Sequence, residues 1–139
     1  MVALPLASTW LGDASAFFAG KAWGTKRLAP AISPNKSWVG AWAGILGASV
    51  GAMGWFFIAE TFLQGMAIGS LAEAAAVGAV LGVGAILGDL VESVLKREAG
   101  VKDSGAVFPG HGGVLDRLDA LIFTLPLAYA LLLMLDLAA

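Results

Sequence analysis

Apolar residues run through this chain in four long stretches, roughly Val2–Gly20, Trp38–Ala59, Ile68–Leu95 and Leu118–Ala138, each near the 20 or so residues that a membrane-crossing helix needs. The third is long enough to project past a bilayer. A polar, proline-containing segment, Lys21 to Ser37, separates the first two, and another, Lys96 to Arg117, separates the last two. The connection around Glu60–Gly69 is short. The pattern predicts an all-α, polytopic integral membrane bundle of about four transmembrane helices with two polar loops, forming a single domain over residues 1–139.

Composition strengthens that reading. With 59% hydrophobic and 13% charged residues and a mean hydropathy of +0.86, the chain is not an ordinary soluble domain. Its 19 glycines suit helices packed closely in lipid. The spacings Gly40/Gly44, Gly47/Gly51, Gly78/Gly82 and Gly84/Gly88 read as ordinary helix packing rather than a dedicated dimer face. The tryptophans fall mostly near span ends, where interfacial anchors belong. Without cysteine there is no disulfide, no thiolate nucleophile and no Cys-based zinc site, and a single histidine argues against a protein-only zinc site. Any metal should be a hard cation on carboxylates.

The net charge of −2 hides an asymmetry, because all eight basic residues (Lys21, Lys26, Arg27, Lys36, Lys96, Arg97, Lys102 and Arg117) lie in or beside the two polar segments. The positive-inside rule puts both segments in the cytoplasm, and an even number of spans then leaves both termini on the opposite face. No Lys or Arg precedes Lys21, so the start lacks the basic region of a signal peptide. It reads as a membrane helix entered without its preamble, and further N-terminal helices in a longer parent chain would account for that.

Carboxylates inside spans cost about 2.5–3.5 kcal/mol each at a helix centre, so Asp13, Asp89 and Glu92 need a reason. At 100° per residue, Asp89, Glu92, Ser93 and Lys96 fall within about 100° on one helix face, a polar stripe leading into the second basic segment. That segment is rich in glycine, and its freed backbone N–H groups beside Lys and Arg would make a phosphate cradle. Asp116 and Asp119, spaced i and i+3, open the last helix. Paired carboxylates beside a basic, glycine-rich loop are the ingredients of metal-assisted phosphoryl or nucleotidyl transfer, with Mg²⁺ held by one or two carboxylates plus substrate phosphates. A substrate phosphate can itself attack, so no serine or cysteine nucleophile is needed. Plainer readings stand beside these: Asp89 and Asp116 as helix-end carboxylates paired with Lys or Arg, His111 as an ordinary loop histidine, and Asp13 paired with a lysine such as Lys36 rather than positioning substrate. The residues alone describe a membrane enzyme acting on a phosphorylated substrate from the cytoplasmic side, without naming cytidine or lipid.

The segment Ser93-x-x-Lys96-Arg97-x4-Lys102-Asp103-x-Gly105-x-x-Phe108-Pro109-x-His111-Gly112-Gly113-Val114-x-Asp116-Arg117-Leu118-Asp119 resembles the motif of the phosphatidate cytidylyltransferases over its whole length. Upstream, Asp13 to Lys21, Gly24, Lys26 and Ser33-Pro34-Asn35-Lys36-Ser37-Trp38-Val39-Gly40 are similar to that family's Asp-containing helix and SPKKT-like loop, with Asn35 in place of a usual lysine and Ser37 of a usual threonine. The resemblance implies condensation of CTP with phosphatidic acid to CDP-diacylglycerol and pyrophosphate, by a Mg²⁺-dependent membrane homodimer, with room for a second cation and no nucleic-acid partner. It implies Asp89 and Asp116 as the metal pair, supported by Asp119 and Asp103. Lys96, Arg97, Lys102, His111 and Arg117 would meet phosphates, and Asp13, Ser33, Lys36, Gly112 and Gly113 would hold the nucleotide. It also implies the C-terminal catalytic part of a longer chain, in a bacterial inner (plasma) membrane. Two alternatives are a related CTP-dependent enzyme using another lipid phosphate, as in CDP-archaeol synthesis, and a truncated membrane subunit that binds without turnover.

Overall fold

A computed structural model describes residues 2–62, 68–100 and 115–138. Its elements run α1 (Ala3–Trp23), β1 (Arg27–Ala29), β2 (Ser33–Ser37), α2 (Trp38–Phe62), α3 (Leu71–Glu98) and α4 (Leu115–Ala138). The four expected apolar stretches are all helical, with ends shifted by a few residues. Two of these helices, α2 and α3, are long and apolar enough to cross a membrane, and Ala120–Asp136 within α4 is a shorter apolar stretch.

The expected loop between the first two helices is instead a small antiparallel hairpin, so the architecture is mostly helical rather than purely so. Arg27 pairs with Ser37 and Ala29 with Ser33, with an irregularity between the two pairs. The turn is closed by Ile32 N–H donating to the Ala29 carbonyl at 3.1 Å. Helix α1 stops at Gly24, whose N–H donates back to the Gly20 carbonyl, with Lys21 in the last turn where the helix dipole favours a cation. The hairpin passes directly into α2 through Ser37, which is buried and accepts a hydrogen bond from Gly40 N–H at 3.1 Å. This is an N-cap, the kind of contact worth about 1 kcal/mol. Helix α3 has a fuller device: Ser70 accepts from Glu73 N–H at 3.2 Å, while Glu73 reaches back to accept from Gly69 N–H at 2.9 Å.

Helix α1 packs along α2, α2 along α3 and α3 along α4, with α1 also touching α3 and α4. Small residues line these seams. A Cβ at Gly51 would come within 2.6 Å of the Ala7 carbonyl of α1, and one at Gly78 within 2.6 Å of the Ala48 carbonyl of α2. Gly40, Gly44 and Gly47 likewise face α1, Gly82 faces α2, and Gly84 and Gly88 face α4. The four glycine pairs of the sequence thus serve packing within the chain. One apolar cluster, including Leu4, Phe56, Ile68, Val77, Leu81 and Leu132, ties all four helices together at one end of the bundle.

Large apolar side chains point outward: Trp10, Phe17, Phe18, Trp42, Leu46, Phe57, Leu87, Ile122 and Tyr129 are all exposed. Small residues inside and large ones outside invert the arrangement of a water-soluble protein and suit a lipid surround.

Candidate active site

The other end of the bundle is polar. Asp13 sits midway along α1, Lys36 near the end of β2 and Asp89 on the C-terminal half of α3. These three elements, with the start of α2, enclose a cavity of about 650 Å³. Its walls carry Asp13, Lys21, Arg27, Ser33, Asn35, Lys36 and Asp89, and its apolar lining includes Phe17, Leu28 and Ile86. Gly20 and Gly40 line it too, where α1 and α2 approach closely.

At the centre of the site Lys36 Nζ meets Asp89 Oδ2 at 2.5 Å, joining the hairpin to α3. The Nζ atom is inaccessible to solvent, although Asp89 is 41% exposed towards the cavity. Asp13 lies within electrostatic reach of both members of the pair. The expected pairing of Asp13 with Lys36 is corrected: the ion pair of Lys36 goes to Asp89, and Asp13 feels the charge of both. Lys36 stands on β2, which pairs with β1 and leads directly into α2, and from there its side chain reaches Asp89 of α3.

The polar stripe on α3 divides. Glu92 is buried and pairs with Lys96 one turn on, at 2.9 Å, while Asp89 turns to the cavity. Lys96 is therefore engaged with a carboxylate on its own helix. Arg97 is exposed at the end of α3. Among the described residues, no group of three or more Asp, Glu or His is placed to hold a metal ion. Asp13 and Asp89 nevertheless bring two hard oxygen donors to one cavity, and an ammonium already rests on one of them, so the donor set fits a small divalent cation.

Of the residues expected from sequence, the structure brings Asp13, Ser33, Lys36 and Asp89 into one site. Asp116, Arg117 and Asp119 stand in the first turns of α4, with their side chains outside the described part. Lys102, Asp103, His111, Gly112 and Gly113 lie outside the described residues. The cavity adds Lys21, Arg27 and Asn35, which sequence reasoning treated as topology signals or motif neighbours. The start of α2 was signalled by Ser37 three residues before Gly40 at the head of an apolar run, a helix-start pattern that carries no sign of the strands before it.

Residues 1–135 match the cytidylyltransferase family. The chain is 43% identical over 119 residues to the phosphatidate cytidylyltransferase of Haemophilus influenzae, which covers 84% of this chain and 40% of that protein. It is 46% identical over 121 residues to the chloroplastic phosphatidate cytidylyltransferase 5 of Arabidopsis thaliana, covering 85% of this chain and 28% of the relative. The phosphatidate cytidylyltransferase of Synechocystis is 41% identical over 127 residues, 91% of this chain and 41% of its own length. The chain thus spans less than half the length of these curated relatives.

Proposed function

Since this chain belongs to the cytidylyltransferase family, we propose that it forms the metal- and nucleotide-binding part of a phosphatidate cytidylyltransferase, which condenses CTP with phosphatidic acid to CDP-diacylglycerol and pyrophosphate. The observation that carries this reading is the meeting of Asp13 and Asp89 with the basic hairpin in one cavity, flanked by helices whose outer faces are apolar. A water-soluble triphosphate and a membrane-held phosphate can both reach such a place.

In this reading Asp89 and Asp116 hold Mg²⁺, with Asp119 and Asp103 in support and a second cation admissible beside them. The metal, when bound, neutralises charge on the CTP phosphates. Lys36 and Arg27 meet the triphosphate from the hairpin side, while Lys96, Arg97, Lys102, His111 and Arg117 meet phosphates from the segment between α3 and α4. Gly112 and Gly113 allow close backbone approach, and Asp13 and Ser33 position the nucleotide. An oxygen of the phosphatidate phosphate bonds to the α-phosphorus of CTP. The bond from that phosphorus to the bridging oxygen breaks, and pyrophosphate leaves with the electron pair. Fixed cations aimed at the leaving group are the kind of feature that contributes about 10²–10³ each to such rates.

All four helices are taken as spans. At 1.5 Å per residue, helices of 21, 25, 28 and 24 residues rise about 31–42 Å, enough for a hydrocarbon core of about 30 Å. Asp13 within α1 faces the cavity rather than lipid. Both basic segments then face the cytoplasm of a bacterial inner membrane, and the enzyme works as a homodimer.

The test is CTP- and Mg²⁺-dependent conversion of phosphatidate to CDP-diacylglycerol by the purified protein in liposomes. Asp89→Asn and Asp116→Asn should each lower turnover about 100-fold or more. Wild-type turnover that survives either substitution would remove that carboxylate from the metal site.

A further inference from the structure

Lys36 occupies an unusual position for a phosphate-binding lysine. Its ammonium carries three donors, yet among the described residues its one ion-pair partner is Asp89 Oδ2 and it has no hydrogen-bonding partner of the ordinary geometry. It therefore sits where a cation belongs, on the carboxylate assigned to the metal, with donors still unused beside a cavity. The backbone beneath it is fixed, because the next residue, Ser37, is buried and caps α2. The side chain is a flexible four-carbon stem, so the charge can move while the hairpin stays. Asp89 is 41% exposed, so an exchange of partners there does not require the helices to part.

We propose that Lys36 is an exchangeable cation: it holds the metal's place on Asp89 in the free protein and passes to a substrate phosphate when the metal takes the carboxylate, so that metal and triphosphate bind cooperatively. This rests on the assignment of Asp89 as a metal ligand. Charge favours the exchange. Among the described residues of the cavity lining, Asp13 and Asp89 against Lys21, Arg27 and Lys36 leave a net charge of one positive. A divalent cation arriving alone must displace an ammonium and raise that excess to three. A triphosphate arriving alone finds Lys36 occupied by Asp89. Arriving together, each ligand removes the other's obstacle, and by linkage the assistance is equal in both directions. Lys36 is thus a positioning residue whose free-state contact sets the order and coupling of ligand binding.

The experiment measures Mn²⁺ binding as a stand-in for Mg²⁺, by electron paramagnetic resonance of the free ion, on the purified protein in detergent. It is run without phosphate, with inorganic tripolyphosphate, and with a non-hydrolysable CTP analogue, each arm corrected by a protein-free titration for the Mn²⁺ that the phosphate itself binds. In the wild type, tripolyphosphate should tighten Mn²⁺ by about 10-fold or more, within the 5–150-fold usual for coupled sites. Lys36→Met should tighten Mn²⁺ binding in the absence of phosphate and lower the coupling to the part that direct metal–phosphate contact supplies. Lys36→Arg, which keeps a cation on Asp89, should keep the phosphate-free affinity weak. Asp89→Asn should abolish the response in every arm. Phosphate-free Mn²⁺ affinity that is unchanged or weaker in a folded Lys36→Met protein would overturn the exchange. If Asp89→Asn still binds Mn²⁺ as the wild type does, the metal assignment falls and the exchange with it. Coupling with tripolyphosphate but none with the CTP analogue would uphold the exchange and overturn the nucleotide reading.

Discussion

Thr9 of α1 and Thr124 of α4 are 3% and 0% exposed, and their hydroxyls meet at 3.2 Å, a polar link between the first and last helices. Its neighbour Ser8 is equally buried, but its hydroxyl has no partner among the described residues. The two cases should respond oppositely to removal of the oxygen. Thr9→Val leaves the Thr124 hydroxyl stranded and should destabilise by about 1–2 kcal/mol, whereas the double change Thr9→Val with Thr124→Val removes both groups and should lie closer to wild type than either single variant. The coupling in a double-mutant cycle should be about 0.6–1.7 kcal/mol, the range for hydrogen bonds between membrane helices. Ser8→Ala should leave stability unchanged or raised. Equilibrium unfolding in mixed detergent would read all four variants, and equal losses for Ser8→Ala and Thr9→Val would refute the distinction.

At the scale of elements, the closeness of α1 and α2 depends on residues without side chains. A Cβ at Gly51 would meet the Ala7 carbonyl at 2.6 Å and the Ser8 Cα at 3.0 Å, both backbone atoms that can yield only if the helix moves. A Cβ at Gly54, one turn on in the same helix, would meet nothing within 4 Å among the described residues of the neighbouring elements. Gly51→Ala should therefore cost about 1–3 kcal/mol through overpacking, while Gly54→Ala should gain about 0.5–1 kcal/mol from helix propensity. Thermal unfolding followed by circular dichroism distinguishes the two, and matching shifts would mean the seam is looser than its geometry. The helices themselves were legible because long apolar runs between Lys/Arg-bearing segments admit few other structures. The hairpin was not, since Arg27–Ala29 is only three residues long and Ser33–Ser37 is polar and contains Pro34, so neither carries a period-2 pattern to read. In the site, the in-span carboxylates Asp13 and Asp89 were marked by their cost. The Lys36–Asp89 pair was not, because its members lie on different elements and no spacing rule links them. The segment from Lys102 to Gly113 was read from its glycines and charges as a phosphate cradle, its individual roles only by resemblance, and it lies outside the described residues.

The molecule as a whole pairs a polar cavity at one end with an apolar exterior, and the two define how it must lie in a membrane. The hairpin at Lys26 and the end of α3 at Glu98 flank that cavity end, while the end of α2 at Glu60 lies a full helix length away. If α2 and α3 both cross, Lys26 and Glu98 share one face of the membrane and Glu60 occupies the other. With all basic residues in or beside the segments that hold the first two positions, the positive-inside rule predicts that this shared face is the cytoplasmic one. The chain contains no cysteine, so single cysteines at these sites report without background. A membrane-impermeant maleimide added outside intact spheroplasts should label Glu60→Cys and spare Lys26→Cys and Glu98→Cys, and inverted vesicles should reverse the pattern. Labelling of Lys26→Cys and Glu98→Cys from opposite faces would mean that only one of α2 and α3 crosses. The cavity could not then open to a single compartment, and the hairpin that carries Lys36 could not meet Asp89 on one face of the membrane.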